Sequence, residues 1–139
     1  MEPGEIWWAQ FDEKRLVVLL SRDAGSEFLA MQIVEPATPA QKLGFVLMSG
    51  EQAVDADQRR RVLEEAGPDP RAVGIEVFFG AGEGLPERGV VRVALPKDGK
   101  IFCTWGTTVS EESLVSRAGA LSPAKQHELD VALALAGRE

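Results

Sequence analysis

The run Arg15–Ser21 (RLVVLLS) constrains this chain more than any other stretch. Its apolar centre, Leu16 to Leu20, shows no polar alternation, so it reads as a strand covered on both faces rather than one with a wet side. The same run is far too short to cross a bilayer as a helix. A fold that holds it needs apolar layers above and below one sheet.

The neighbouring stretches supply more strands. Glu5–Phe11 (EIWWAQF) is short and aromatic, and Asp12, Glu13 and Lys14 form a tight polar turn before the central run. Residues 22–26 (RDAGS) are a turn by composition. Phe28–Val34 (FLAMQIV) is a third strand, stopped by Pro36 and Pro39, which cannot donate to a ladder. Leu43–Met48, Val73–Phe79, Val90–Leu95 and Lys100–Trp105 read as further strands, with a Pro-Lys-Asp-Gly turn at Pro96–Gly99 between the last two.

Two helices complete the pattern. Ser49 and Gln52 make a capping box at the head of a helix over residues 49–67, with Val54, Val62 and Ala66 as a thin contact stripe and Gly67-Pro68 as its stop. Its outer face is charged, which marks a surface appendage. At the C-terminal end Ser122 caps a helix with Pro123 in its first position and Leu129, Ala132, Leu133 and Ala136 on one face before Gly137. Many short strands, short turns and two helices predict a mainly β fold, a small barrel with helical decoration.

A length of 139 residues fits one domain able to bury a core without disulfides or structural metal. The lone Cys103 sits in an apolar strand and reads as core. It excludes an internal disulfide and agrees with a reducing compartment. The N-terminus lacks the basic and apolar regions of a signal peptide, so a soluble, cytoplasmic protein with no membrane partner is expected. A net charge of −7 is unusual for a nucleic-acid binder, which typically presents a basic face.

Several chemistries are excluded by residue type. His127 is the sole histidine and lies in the C-terminal helix, which removes a two-histidine nuclease and a multi-histidine metal site. Gly80–Gly84 (GAGEG) has the look of a phosphate loop, but Leu85-Pro86 and a strand follow instead of a helix, so a flexible turn is the better reading. No metal ligands and no cofactor site stand out. Arg15, at the mouth of the central strand, remains as the notable polar residue, although a strand-edge arginine is commonly solvated or ion-paired.

The ordered set of motifs resembles the MazF/PemK (Kid) toxin family. Gly4, Glu5, Ile6, Trp7 and Trp8 are similar to its first strand, and Arg15–Asp23 to its Arg-Pro-Val-Leu-Val-Ile-Ser-Asn-Asp stretch, with Leu16 in place of the proline. Val34-Glu35-Pro36-Ala37-Thr38 resembles Val-Ala-Pro-Val-Thr. Leu95–Gly99, Ile101–Cys103 and Thr108-Val109 look like the family's later segments, and Gly119–Pro123 like its Gly-x-Leu-Ser-Pro ending. The resemblance covers about two-thirds of the chain.

It implies a small SH3-like barrel of the CcdB/PemK/MazF type, over residues 1–139 as a single domain, with an inserted helical segment at about 41–84. It also implies a homodimer that cleaves single-stranded RNA sequence-specifically without metal, paired with a cognate antitoxin. By carry-over Arg15 stabilises charge at phosphorus and Thr38 donates to a non-bridging oxygen, both as catalytic residues. Lys14, Trp105 and Thr107 are the implied RNA-binding residues, with Trp105 stacking on a base. The chain departs from the family in two places: only Asp12–Lys14 stand where a long RNA-covering loop is usual, and Thr107 stands where the family has a second arginine. Two alternatives stay open, a catalytically silent binding or regulatory module of this fold and a gyrase-targeting CcdB-like toxin.

Overall fold

A computed structural model describes residues 2–22, 25, 27–36, 38, 45–65, 72–94 and 106–135. Strands β1 (Glu5–Gln10) and β2 (Lys14–Arg22) form an antiparallel hairpin, with Ile6 opposite Val18 and Gln10 opposite Lys14. Their link is short because Asp12 and Glu13 bend the chain, and the Phe11 amide donates to the Glu13 carbonyl at 3.1 Å. Strand β3 (Glu27–Gln32) returns along the other side of β2, with Val17 opposite Gln32.

The chain then builds a second sheet. Strand β4 (Phe45–Ser49) pairs in parallel with β5 (Ala72–Phe79), and β6 (Gly89–Ala94) pairs antiparallel with β5. A parallel pair needs a crossover, and helices usually supply it. Here α1 (Gly50–Ala53) and α2 (Ala56–Glu65) fill that role. Strands β7 (Gly106–Ser110) and β8 (Leu114–Ala120) return to the first sheet, whose order is β7-β3-β2-β1-β8, and α3 (Pro123–Leu135) follows.

Strand β2 is covered on both faces, as its composition demands. Val18 joins Ile6 and Met31 in a core shared with Ile75, Val77, Phe79 and Val91 of the second sheet and with Leu129 and Ala132 of α3. On its opposite face Val17 and Leu19 pack with Ala9, Phe28, Ala30, Val109 and Leu114, flanked by Trp7 and Phe11. Each large side chain so buried stabilises the fold by about 1.5–3 kcal/mol.

Two backbone links tie the end of β3 to the second sheet. Val34 and Val90 exchange amide-to-carbonyl hydrogen bonds of 2.8 and 2.7 Å. Gly89 permits this approach, since a Cβ there would stand 2.5 Å from the Ile33 Cγ2.

The structure corrects the helical expectation over 49–67. Ser49 does form the capping box with Gln52, but the helix stops after Ala53 and restarts at Ala56. Asp55 is the cause: its carboxylate accepts from the amides of Asp57 and Gln58 at 2.9 and 3.3 Å, which caps a new helix. No residue of α2 is buried, in keeping with a surface appendage, although Val62 packs partly against the core. Residues 66 and 67 lie outside the described residues. The inserted region therefore contributes two strands as well as helices.

Gly80–Gly84 is also more ordered than a flexible turn. Ala81–Glu83 form a 3-10 turn closed by the buried Glu83, whose carboxylate accepts from the Gly80 amide at 2.8 Å. Gly84 takes a left-handed φ of 89° beside Ala118 and Gly119 of β8. The expected strand at Lys100–Trp105 and the Pro96–Gly99 turn lie outside the described residues. Strands β7 and β8 were not anticipated as strands. In α3 the cap is as expected, with the Lys125 amide donating to the Ser122 hydroxyl at 3.2 Å.

Candidate functional site

Arg15 lies near the start of β2 and Gln32 at the end of β3. Because Val17 stands opposite Gln32, Arg15 and Gln32 are diagonal neighbours on one sheet face, within reach of long side chains. The Arg15 Nη1 donates to the Gln32 Oε1 at 3.3 Å, and its Nη2 pairs with the Glu13 carboxylate at 3.4 Å. The guanidinium is thus held from two sides while a third of its surface stays exposed, with 33% accessible. An arginine held this way offers charge-assisted donors to an anion at the rim of the sheet.

Lys14 is exposed beside it, opposite Gln10 at the end of the hairpin. Thr38 is exposed as well, six residues beyond Gln32 along the chain. The intervening segment is anchored at Val34 by the bridge to Val90 and at Glu35, whose carbonyl accepts from the Arg92 Nη2 at 3.2 Å. The structure therefore gathers Arg15, Lys14, Glu13 and Gln32 at one end of β2, with the chain beyond Gln32 anchored at Val34 and Glu35, ahead of Thr38 in sequence.

Thr107 is placed otherwise. It stands opposite Ala30, which stands opposite Leu19. At strand spacing that backbone position lies about 13 Å along the sheet from Arg15 and about 9.5 Å across it. Trp105 and Cys103 lie outside the described residues. Among the described residues, no group of three or more His, Cys, Asp or Glu side chains converges as metal ligands would, and no helix is long and apolar enough to cross a membrane.

A second polar centre lies in the three-stranded sheet. Glu76 in β5 is 2% exposed, and Arg92 of β6 stands directly opposite it. The Arg92 Nη2 and Nε donate to the Glu76 Oε2 at 3.0 and 3.3 Å, forming a nearly dry ion pair in the middle of the sheet. Sequence reasoning passed over Glu13, Gln32, Glu76 and Arg92. A signal for the last two was present, since each interrupts an otherwise apolar strand (VGIEVFF, VVRVA).

At the far edge, Glu5 meets three donors. Burial alone would raise its carboxyl pKa. The Glu2 amide at 2.9 Å, the Trp7 indole at 3.1 Å and Arg117 at 3.2 Å outweigh that and hold it below the ordinary carboxylate value.

Neither the known family models nor the curated proteins match this sequence. Solved structures do match its fold. An endoribonuclease in complex with its cognate antitoxin, from a mycobacterial species, superposes with a TM-score of 0.53 at 11% identity, over 100% of this chain and 95% of that one. The Mycobacterium tuberculosis toxin MazF-mt6 superposes with a TM-score of 0.53 at 15% identity, over 97% of this chain and 98% of that one. The chain thus has a mainly β fold of the MazF type.

Proposed function

We propose that this protein is a sequence-specific, metal-independent endoribonuclease toxin that cleaves single-stranded RNA and is restrained by a cognate antitoxin. The observation that carries this reading is Arg15, held by Glu13 and Gln32 near the start of the doubly covered strand β2 of a MazF-type fold. In the reaction the 2′-oxygen bonds to the adjacent phosphorus while the bond to the 5′-oxygen breaks. The proton lost at the 2′-hydroxyl is balanced by one gained at the 5′-oxygen. Fragments end in a cyclic phosphate and a free 5′-hydroxyl. Arg15 stabilises the charge that grows on the non-bridging oxygens, and the Thr38 hydroxyl donates to one of them. Lys14 contacts the RNA backbone, and Trp105 and Thr107 are the further RNA-binding residues of this reading.

The chain acts as one domain over residues 1–139 and as a cytoplasmic homodimer. A similarly folded endoribonuclease is known in complex with its antitoxin, which supports such a partner here. Expression in a bacterium tests the reading. Growth arrest is expected from the wild type and not from Arg15→Ala; if both are equally harmless, the enzyme reading fails. The short Asp12–Lys14 link and the threonine at position 107 favour one competing reading, a silent binding module of the same fold, which would leave RNA intact.

A further inference from the structure

A charged pair inside a sheet is seldom there for stability. Removing two charges from water costs several kcal/mol per ion, and well-packed apolar residues of similar volume commonly serve as well or better. The Glu76–Arg92 pair sits in that position, between Ile75, Val77, Val91 and Val93, all 4% exposed or less. An apolar pair there would continue the strand pattern on both sides.

What an apolar pair could not do is reach out of the sheet. Arg92 also donates to the Glu35 carbonyl, which belongs to the segment leaving β3. That segment is already drawn against β6 by the Val34–Val90 exchange and by the close approach at Gly89. Glu76 holds the Nε and Nη2 of the guanidinium, and the same Nη2 also donates to the Glu35 carbonyl. Three residues further on is Thr38.

We propose that the Glu76–Arg92 pair is a positioning device for the cleavage site: through the Glu35 carbonyl it sets where Thr38 meets the scissile phosphate. This rests on the assignment of Thr38 made above. Neither residue touches RNA, so both act on the reaction through the backbone of residues 33–36, ahead of Thr38 in the chain.

The test is a kinetic cycle on a long single-stranded RNA, in EDTA, with wild type, Glu76→Met/Arg92→Met, Thr38→Ala and the triple variant. A displacement of about 1 Å at a reacting centre is worth about 100-fold in rate. The paired methionine variant is therefore expected to keep its melting temperature and KM while kcat falls by about that factor. In the Thr38→Ala background the same pair of substitutions is expected to cause no further loss. Arg92→Lys, which keeps a charge against Glu76 but lacks the planar fork, is expected to recover part of the rate. Wild-type kcat in the paired variant overturns the proposal, as does an equal loss with and without Thr38. If the paired variant does not fold, Arg92→Lys is read instead, and wild-type kcat there overturns it. RNA left intact by the wild type defeats the functional reading and this inference together, and the wild-type reaction alone distinguishes that failure from the others.

Discussion

The two sheets of this protein solve the problem of a covered strand in different ways. In the five-stranded sheet, β2 is apolar on both faces, and side-chain packing covers it with Val18's cluster on one side and that of Val17 and Leu19 on the other. In the three-stranded sheet, the central strand β5 is also buried, yet carries Glu76 at its middle and needs Arg92 across from it. The first arrangement contributes stability directly through apolar area. The second contributes little net stability but fixes a direction, from sheet to Glu35 carbonyl. The polar residues that matter thus lie at the end of the apolar strand and at the centre of the charged one.

Mutations can break this comparison, the strongest first. Phe28→Ala empties the outer cluster of the five-stranded sheet, where Phe28 is 0% exposed, and is expected to cost about 4 kcal/mol in denaturant unfolding. A loss below about 1 kcal/mol would mean that this face is not a packed layer.

Arg92→Met alone removes this ion pair from the buried Glu76 and is expected to cost about 3 kcal/mol. Adding Glu76→Met is expected to return most of that, which no variant of the first sheet would do. If the second substitution makes the protein less stable still, the pair is a stabilising contact rather than an orienting one.

At Gly119, where the 3-10 turn meets β8, a Cβ would overlap the Glu83 carbonyl oxygen. Backbone must shift to admit it, so Gly119→Ala is expected to cost about 2 kcal/mol. An unchanged melting curve would show that the turn is not packed against the strand.

The smallest expected effect is at the α1–α2 break. Amides of Gln58 and Asp57 hold the Asp55 carboxyl below its usual value of 3.8. A depressed folded-state pKa gives stability that is present above 3.8 and lost as pH falls through the folded value. Circular dichroism is expected to show a slight loss of helix in that acid range, and Asp55→Ala is expected to show the loss already at neutral pH. If the acid loss persists in Asp55→Ala, another carboxylate is responsible.

How far the sequence disclosed all this follows the same division. The unbroken apolar run at residues 16–20 could only be a doubly covered strand, and the caps of the 49–53 and C-terminal helices were legible because capping needs only local residues. The α1–α2 break was less visible, since Asp55 can cap a helix or ride on one, and geometry decides which. Strands β7 and β8 escaped because Gly106–Ser110 (GTTVS) is mostly Gly, Ser and Thr and Leu114–Ala120 (LVSRAGA) shows no apolar alternation; their strand state comes from pairing with β3 and β1, which are far away in sequence. Arg15 stood out as a cation beside an apolar run, whereas Gln32 and Arg92 gain their significance from contacts across 17 and 57 residues.

The proposed function turns on Arg15 driving RNA cleavage without metal. Incubating a long single-stranded RNA with purified protein in EDTA, then identifying the fragment ends, tests it most directly. Discrete fragments carrying cyclic phosphate and 5′-hydroxyl ends are expected, with a rate at least about 100-fold lower for Arg15→Ala. Intact RNA with the wild type, or equal cleavage by Arg15→Ala, would contradict it.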